Sequence, residues 1–263
     1  MTASYLFASE GLIALARYVS MDTLFAFDLD GTLAPIVAEY SKARVSEPIR
    51  TTLQRLAKLV KVVVITGRSR KNALDILGFE PHLIVGGHGT EWPPHEKGRN
   101  WKFVENCLKW REQLGTVLFY VQGVEIEFKS ESLSIHYRKA EDQGKALEVV
   151  NAAINGLVPS PRTIGGKYVL SLMPMDAPTK GDALVASMNR FGLKRAIFFG
   201  DDVTDEEVFQ LKDADVFGIH IGEDGQTAAS YYLRKQSEML GLLESMVGVL
   251  EVEREAEEIS DKF

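Results

Sequence analysis

The chain has 263 residues, 30 Lys plus Arg against 37 Asp plus Glu for a formal charge of −7, and 45% hydrophobic residues, the composition of a globular fold of one large or two modest domains. An acidic balance without clustered Lys and Arg excludes a nucleic-acid footprint, and no uncharged apolar run approaches the roughly 18 residues of a membrane span. One cysteine, Cys107, makes no internal bridge, and Met1 to Ser9 lacks a basic segment before an apolar one, so the expectation is a cytoplasmic, unprocessed protein.

From the N-terminus, Tyr5 to Tyr18 predicts a helix, and Leu24 to Phe27 is a short apolar run ending in Asp28-Leu29-Asp30-Gly31-Thr32, as a buried strand enters a loop. A helix from about Pro48 carries Ile49, Leu53, Leu56 and Leu59 at helical spacing. Val62 to Ile65 is a second buried strand, Arg70 to Leu77 a helix, and Leu83 to Val85 a strand before Gly86-Gly87-His88-Gly89. This alternation predicts a parallel sheet. After Trp92-Pro93-Pro94 the texture changes: Val124 to Phe128 and Leu133 to Tyr137 alternate apolar and polar residues, as half-exposed antiparallel strands do. A helix from Gly144 to Ile154 leads to a strand at Tyr168 to Leu172 and then to Pro174 and Pro178. Helix Asp182 to Phe191, strand Ala196 to Phe199, helix Asp205 to Leu211 and strand Val216 to Ile219 resume the parallel pattern, and Glu251 to Phe263 predicts a charged, fraying helix. The fold expected is α/β: a Rossmann-like parallel-sheet core at 1–100 and 176–263, interrupted by a smaller α/β domain at 101–175.

Open α/β sheets bind ligands at the carboxyl ends of their strands. Asp28 and Asp30 stand there, and a turn beginning at Gly31 can bring the second carboxylate beside the first. At an effective dielectric near 20, two unit charges about 4 Å apart interact by about 4 kcal/mol, so a hard divalent ion between them turns repulsion into binding. Asp201 and Asp202 follow Phe198-Phe199 at another strand end and could share that ion. Asp205, Glu206 and Glu207 come next; the two glutamates are read as complementing the positive end of the following helix. Thr66 and the amide of Gly67 end a third strand and could donate to an anion. Lys180 opens a helix, where an ammonium opposes the macrodipole and suggests an anion nearby. Phosphate monoester hydrolysis requires up to ~10²¹-fold acceleration, more than one hydrogen bond of about 3–4 kcal/mol can supply, and these groups together form a complete constellation for it.

Asp28-Leu29-Asp30-Gly31-Thr32, Thr66, Lys180 and Gly200-Asp201-Asp202-x-x-Asp205 resemble the four ordered motifs of the haloacid dehalogenase superfamily of phosphatases. The resemblance implies that Asp28 attacks phosphorus to form a phosphoaspartate while Asp30 serves as acid and then base. It also implies that Asp28, the Asp30 main-chain carbonyl and Asp201 hold Mg²⁺, that Thr66 and Lys180 bind the phosphoryl group, and that Asp205, with Asp202, orients the metal's waters or Lys180. An insertion between the threonine and lysine motifs is similar to the subclass whose α/β cap closes over sugar phosphates.

Ile65-Thr66-Gly67-Arg68, Gly86-x-His88-Gly89-x-Glu91, Ser134-x-His136-Tyr137-Arg138 and Gly200-Asp201-Asp202-x-Thr204-Asp205-Glu206 resemble the trehalose-6-phosphate phosphatases more closely. That likeness implies a small sugar phosphate as partner, a functional pairing with a sugar-phosphate synthase, and substrate contacts from Gly67, Arg68, His88, Gly89, His136, Arg138 and Ser171. One departure is visible. The family's cap strand usually reads Val-Leu-Glu-x-Arg-Pro, whereas this chain has Val169-Leu170-Ser171-Leu172-Met173-Pro174, which leaves glucosylglycerol phosphate and glucosyl phosphoglycerate open as substrates. Two readings from other classes are a phosphoryl-accepting receiver, disfavoured by the early Asp-x-Asp and the large insertion, and an inactive binding module, disfavoured by the intact motifs.

Overall fold

Five consecutive buried residues, Thr23–Phe27, make the strand β2, and an uninterrupted apolar run of this kind needs cover on both faces. Phe25 and Phe27 enter one apolar layer with residues such as Leu53, Leu56, Leu243 and Leu250, while Leu24 and Ala26 enter the opposite layer with Leu184, Met188 and Phe198. The period of two along the strand thus places helices on either side of one sheet.

The computed structural model describes residues 3–37, 39–94, 100–166, 168–223 and 226–260. The chain divides into two compact units, Met1–Trp92 with Pro178–Phe263, and Pro93–Ala177.

The larger unit contains β1 (Ser4–Tyr5), β2, β3 (Val62–Ile65), β4 (Leu83–Val85), β9 (Arg195–Gly200), β10 (Asp215–Ile221) and β11 (Tyr231–Leu233). They form a sheet of order β1-β11-β10-β9-β2-β3-β4 in which every pair is parallel. Its helices are α1 (Ser9–Ala16), α2 (Glu47–Leu56), α3 (Arg70–Leu77), α6 (Lys180–Phe191), α7 (Glu206–Phe209) and α8 (Met239–Ser260). From the central pair β2 and β9 the chain winds toward β4 on one side and β1 on the other, so the crevice beyond the carboxyl ends of β2 and β9 is the topological switch point. Phe27 and Phe199 stack there at 4.7 Å.

The smaller unit contains an antiparallel sheet of order β5-β6-β8-β7, from β5 (Glu125–Phe128), β6 (Leu133–His136), β7 (Arg162–Gly166) and β8 (Val169–Met173). Helices α4 (Trp101–Leu118) and α5 (Gln143–Asn155) complete it. Leu133, Ile135, Leu170 and Leu172 join Trp110, Leu114 and Val150 in its core, and the alternate positions Ser134, His136, Ser171 and Met173 belong to the other face of the sheet.

Several elements differ from expectation. Tyr5, expected to open the first helix, instead belongs with Ser4 to the two-residue strand β1, which pairs with β11, and α1 starts only at Ser9. Helix α4 and strands β7 and β11 were not anticipated. The terminal helix does not begin at Glu251: it starts at Met239 and buries Leu242, Leu243, Met246, Val247 and Leu250. Its predicted last residues, 261–263, lie outside the described residues. No described helix is long and apolar enough to cross a membrane.

Candidate active site

The site is assembled from the loops that leave the buried strands. The Asp28 amide donates to the Phe199 carbonyl at 2.8 Å, extending the β2–β9 ladder by one residue and fixing a carboxylate that is only 5% exposed. The chain then turns. The amides of Leu33 and Ala34 both donate to the Leu29 carbonyl, and the Gly31 amide donates to the Ala34 carbonyl, with Gly31 at φ +79°. Glycine is required here on two counts: the positive φ, and a Cβ that would overlap the Asp201 carboxylate. Thr32 Oγ1 donates to Asp201 Oδ1 at 3.3 Å, so the two strand-end loops interlock.

Strand β9 delivers Asp201 and, one turn later, Asp205. A Cβ on Gly200 would overlap the Asp205 side chain, which is fully buried and whose Oδ2 accepts the Asp202 amide at 2.9 Å. Asp202 is turned toward its own loop, with Oδ1 accepting the Val203 amide at 2.7 Å.

Helix α6 opens with a reciprocal cap. Thr179 Oγ1 accepts the Asp182 amide at 3.0 Å, and Asp182 Oδ2 accepts the Thr179 amide at 2.8 Å, which stabilises the first turn by about 1 kcal/mol. Lys180 is the first residue of that helix and is 1% exposed. Its ammonium sits 2.7 Å from Asp205 Oδ1 and 3.2 Å from Asp28 Oδ1. Burial by itself would neutralise this lysine, but Asp205 and Asp28 outweigh it and hold its pKa above the ordinary value.

Carboxylate oxygens of Asp28, Asp201 and Asp205 lie within 4.8 Å of one another. Burial pushes the Asp28 pKa well up, against the lowering effect of Lys180 and with Asp205 and Asp201 adding to the rise. Burial, followed by repulsion from Asp205, pushes Asp201 up to about 8. Three carboxylates against one ammonium leave a local deficit of two positive charges. An oxygen-only donor set with that deficit fits a hard divalent cation.

Thr66 leaves β3 buried, and its Oγ1 accepts the Arg68 amide at 3.2 Å, which keeps the hydroxyl proton available to an anion. The 86–91 loop braces this segment. Gly87 donates to the Arg68 carbonyl and His88 to the Thr66 carbonyl, each at 3.0 Å, and Glu91 Oε2 accepts the Arg70 amide at 2.9 Å. A Cβ on Gly67 would overlap the His88 ring, and one on Gly89 would overlap the Thr179 carbonyl. The loop therefore joins the threonine segment to the start of α6.

The structure thus brings Asp28, Asp30, Thr66, Lys180, Asp201 and Asp205 to one end of one sheet. Arg68 engages Asp30: Nε and Nη2 donate to its two oxygens at 2.7 and 2.6 Å. In the smaller unit, His136 Nε2 meets Glu127 Oε2 at 2.9 Å, Ser171 Oγ meets Ser134 Oγ at 3.1 Å, and Arg138 lies over the Tyr168 ring at 5.9 Å.

Glu206 and Glu207 do more than face a helix dipole. Glu206 accepts from Thr227 Oγ1 at 2.6 Å and the Ala228 amide at 2.7 Å, and Glu207 Oε2 accepts the Lys180 amide at 3.2 Å. Helix α7 has only four residues, too few for its dipole to determine where those carboxylates go. Thr32 and Glu207 were missed as site residues. Thr32 stands inside the Asp28-Leu29-Asp30-Gly31-Thr32 segment, but nothing in the spacing connects it to Asp201.

A family model described as Trehalose-phosphatase matches residues 26–237. The probable trehalose-phosphate phosphatase 3 of Oryza sativa subsp. japonica is 29% identical over 269 residues, covering 91% of this chain and 73% of the relative. Among solved structures, the C-terminal domain of C. albicans trehalose-6-phosphate phosphatase superposes at TM-score 0.69 with 20% identity, covering 94% of this chain and 98% of that one. A haloacid dehalogenase-like hydrolase from Bacteroides thetaiotaomicron superposes at TM-score 0.59 with 20% identity, covering 85% and 98%. At these identities the structural likenesses establish the fold.

Proposed function

The chain belongs to the trehalose-phosphatase family, and from that premise we propose that it hydrolyses trehalose 6-phosphate with Mg²⁺, through a phosphoaspartate on Asp28. Membership makes it a phosphoric monoester hydrolase; the substrate is carried over from the names of its relatives. The observation that supports the mechanism best is the buried ammonium of Lys180 between Asp28 and Asp205, with Asp201 beside them.

In the first step Asp28 attacks phosphorus, the bond to the sugar oxygen breaks with its electron pair going to that oxygen, and Asp30 delivers the proton that makes it an alcohol. In the second, water attacks the acyl phosphate, its proton passes to Asp30, and Asp28 is released as a carboxylate with inorganic phosphate. Lys180 and the Thr66 hydroxyl hold phosphoryl oxygens throughout, and Asp205 fixes the ammonium by its 2.7 Å contact. Mg²⁺ held by Asp28 and Asp201, with Asp205 at their side, would supply charge that keeps both ionised and stabilises the transferring phosphoryl group. Sugar recognition is proposed for the smaller unit, through His136, Arg138 and Ser171.

A different glycosyl phosphate is the second reading. Ser171 offers only a neutral hydroxyl, already paired with Ser134, and a site that hydrogen-bonds one sugar discriminates strongly against others. The test is phosphate release in Mg²⁺ from trehalose 6-phosphate, glucosylglycerol phosphate, glucosyl phosphoglycerate and hexose phosphates, with Asp28→Asn as control. Preference for the first supports the substrate, preference for another replaces it, and turnover by Asp28→Asn overturns the nucleophile.

A further inference from the structure

We infer that Arg68 is a positioning residue that aims Asp30 for its acid and base steps, an inference that rests on the phosphoaspartate reading. The guanidinium forks onto both carboxylate oxygens of Asp30 at 2.7 and 2.6 Å, the geometry in which an arginine fixes a carboxylate's plane as well as its place. The two partners are held unequally. Arg68 is 6% exposed, whereas the Asp30 side chain is 35% exposed.

Arg68 is also anchored on its other sides. Its Nη1 donates to Asn72 Oδ1 on α3 at 2.9 Å, its amide donates to Thr66 Oγ1, and its carbonyl accepts from Gly87 at 3.0 Å. Asp30 stands at the turn that Gly31 opens, so the arginine is the buried, many-partnered member of the pair and the carboxylate the more exposed one. The fork occupies one lone pair on each Asp30 oxygen, and opening one of the two bonds returns that oxygen's better-placed lone pair to a proton. To serve the leaving oxygen, Asp30 keeps one oxygen on Arg68 and frees the other, and the retained bond sets the direction in which the freed oxygen points.

A role exercised through Asp30 depends on the leaving group, whereas a substrate-binding or purely structural role does not. An alkoxide leaving group needs the proton; nitrophenolate does not. The experiment is rapid-quench measurement of phosphoenzyme formation by the 263-residue chain in Mg²⁺, with trehalose 6-phosphate and p-nitrophenyl phosphate. It compares the native protein, Arg68→Gln, Arg68→Lys, Asp30→Asn and the Arg68→Gln/Asp30→Asn double variant.

General acid catalysis is worth about 10²–10⁴-fold. Arg68→Gln is expected to slow phosphoenzyme formation from the sugar phosphate by about 100-fold and from the aryl phosphate by less than about 5-fold. Slowed hydrolysis of the phosphoenzyme should also leave a burst of nitrophenolate. Arg68→Lys, which keeps the charge and loses the fork, should fail to restore the sugar phosphate rate, and the double variant should be no slower than Asp30→Asn, because coupled residues are not additive.

Equal slowing of both substrates, a raised KM with unchanged kcat, or additive effects in the double variant would overturn the positioning role. Absence of any phosphoenzyme from the native protein would instead remove the underlying mechanism, and the two failures are read from different samples.

Discussion

Lys180→Met removes the ammonium from among buried carboxylates while keeping most of the stem's bulk. The Nζ lies 2.7 Å from Asp205 Oδ1 and 3.2 Å from Asp28 Oδ1, so at an effective dielectric near 20 the gross attractions are about 6 and 5 kcal/mol. Desolvation of all three groups offsets much of this, and removing one member of a buried pair costs about 3–5 kcal/mol net, because the remaining charges are stranded. For a unit of this size that is about 10 °C in melting temperature.

The deficit should depend on pH. Burial already raises Asp28 and Asp201, and loss of the ammonium raises them further. A carboxylate whose folded pKa lies above its unfolded value near 4 contributes stability below that value and loses it as pH climbs through the folded pKa. Calorimetric melts in EDTA should therefore show a deficit of about 10 °C at pH 8 and less than half that at pH 5. A variant melting within about 1 °C of the native protein at pH 8, or with an equal deficit at both pH values, would refute the compensating role of Lys180.

Gly31→Ala places a Cβ against the Asp201 carboxylate at a backbone φ of +79°. It should weaken Mg²⁺ binding at least about tenfold with little change in far-ultraviolet circular dichroism, since the strain of about 1–2 kcal/mol is local; unchanged affinity by calorimetric titration would count against the interlocked loops. Because Asp201 is pushed up to about 8 and Asp28 is raised as well, Mg²⁺ must displace at least one proton below that pH, and its apparent affinity should fall at least about tenfold per unit as pH drops from 8 to 6. The metal-free protein should melt higher at pH 6 than at pH 8 for the same reason. A pH-independent affinity would show that Asp201 is already ionised without metal.

The catalytic loops were readable because their signals are local. An apolar run that stops at Asp28-x-Asp30-Gly31, or at Gly200-Asp201-Asp202, marks a strand end whatever surrounds it. Helix α4 carried its own stripe, Phe103, Val104, Cys107, Trp110, Leu114 and Leu118, all buried, yet its many charged positions obscured the period. Strand β7 reads Arg-Thr-Ile-Gly-Gly, its strand-forming Thr and Ile followed by two glycines that read as a turn, and is a strand because β8 pairs along its whole length. Strand β1 has two residues and pairs with β11, a contact between distant parts of the chain that no local pattern announces.

By itself the amino-acid sequence determined the alternation of buried strands and helices, and which carboxylates, hydroxyl and ammonium stand at strand and helix ends, because period and punctuation are properties of neighbouring residues. Tertiary structure alone decided which of those groups meet. Lys180 bridges Asp28 and Asp205, Thr32 reaches Asp201, Arg68 forks onto Asp30, and Glu207 holds the Lys180 amide. Thr32–Asp201 and Arg68–Asp30 join loops that leave different strands, brought together by the side-by-side order of β9, β2 and β3 in one sheet, whereas Lys180 and Glu207 stand on α6 and α7 and meet because those two helices pack together.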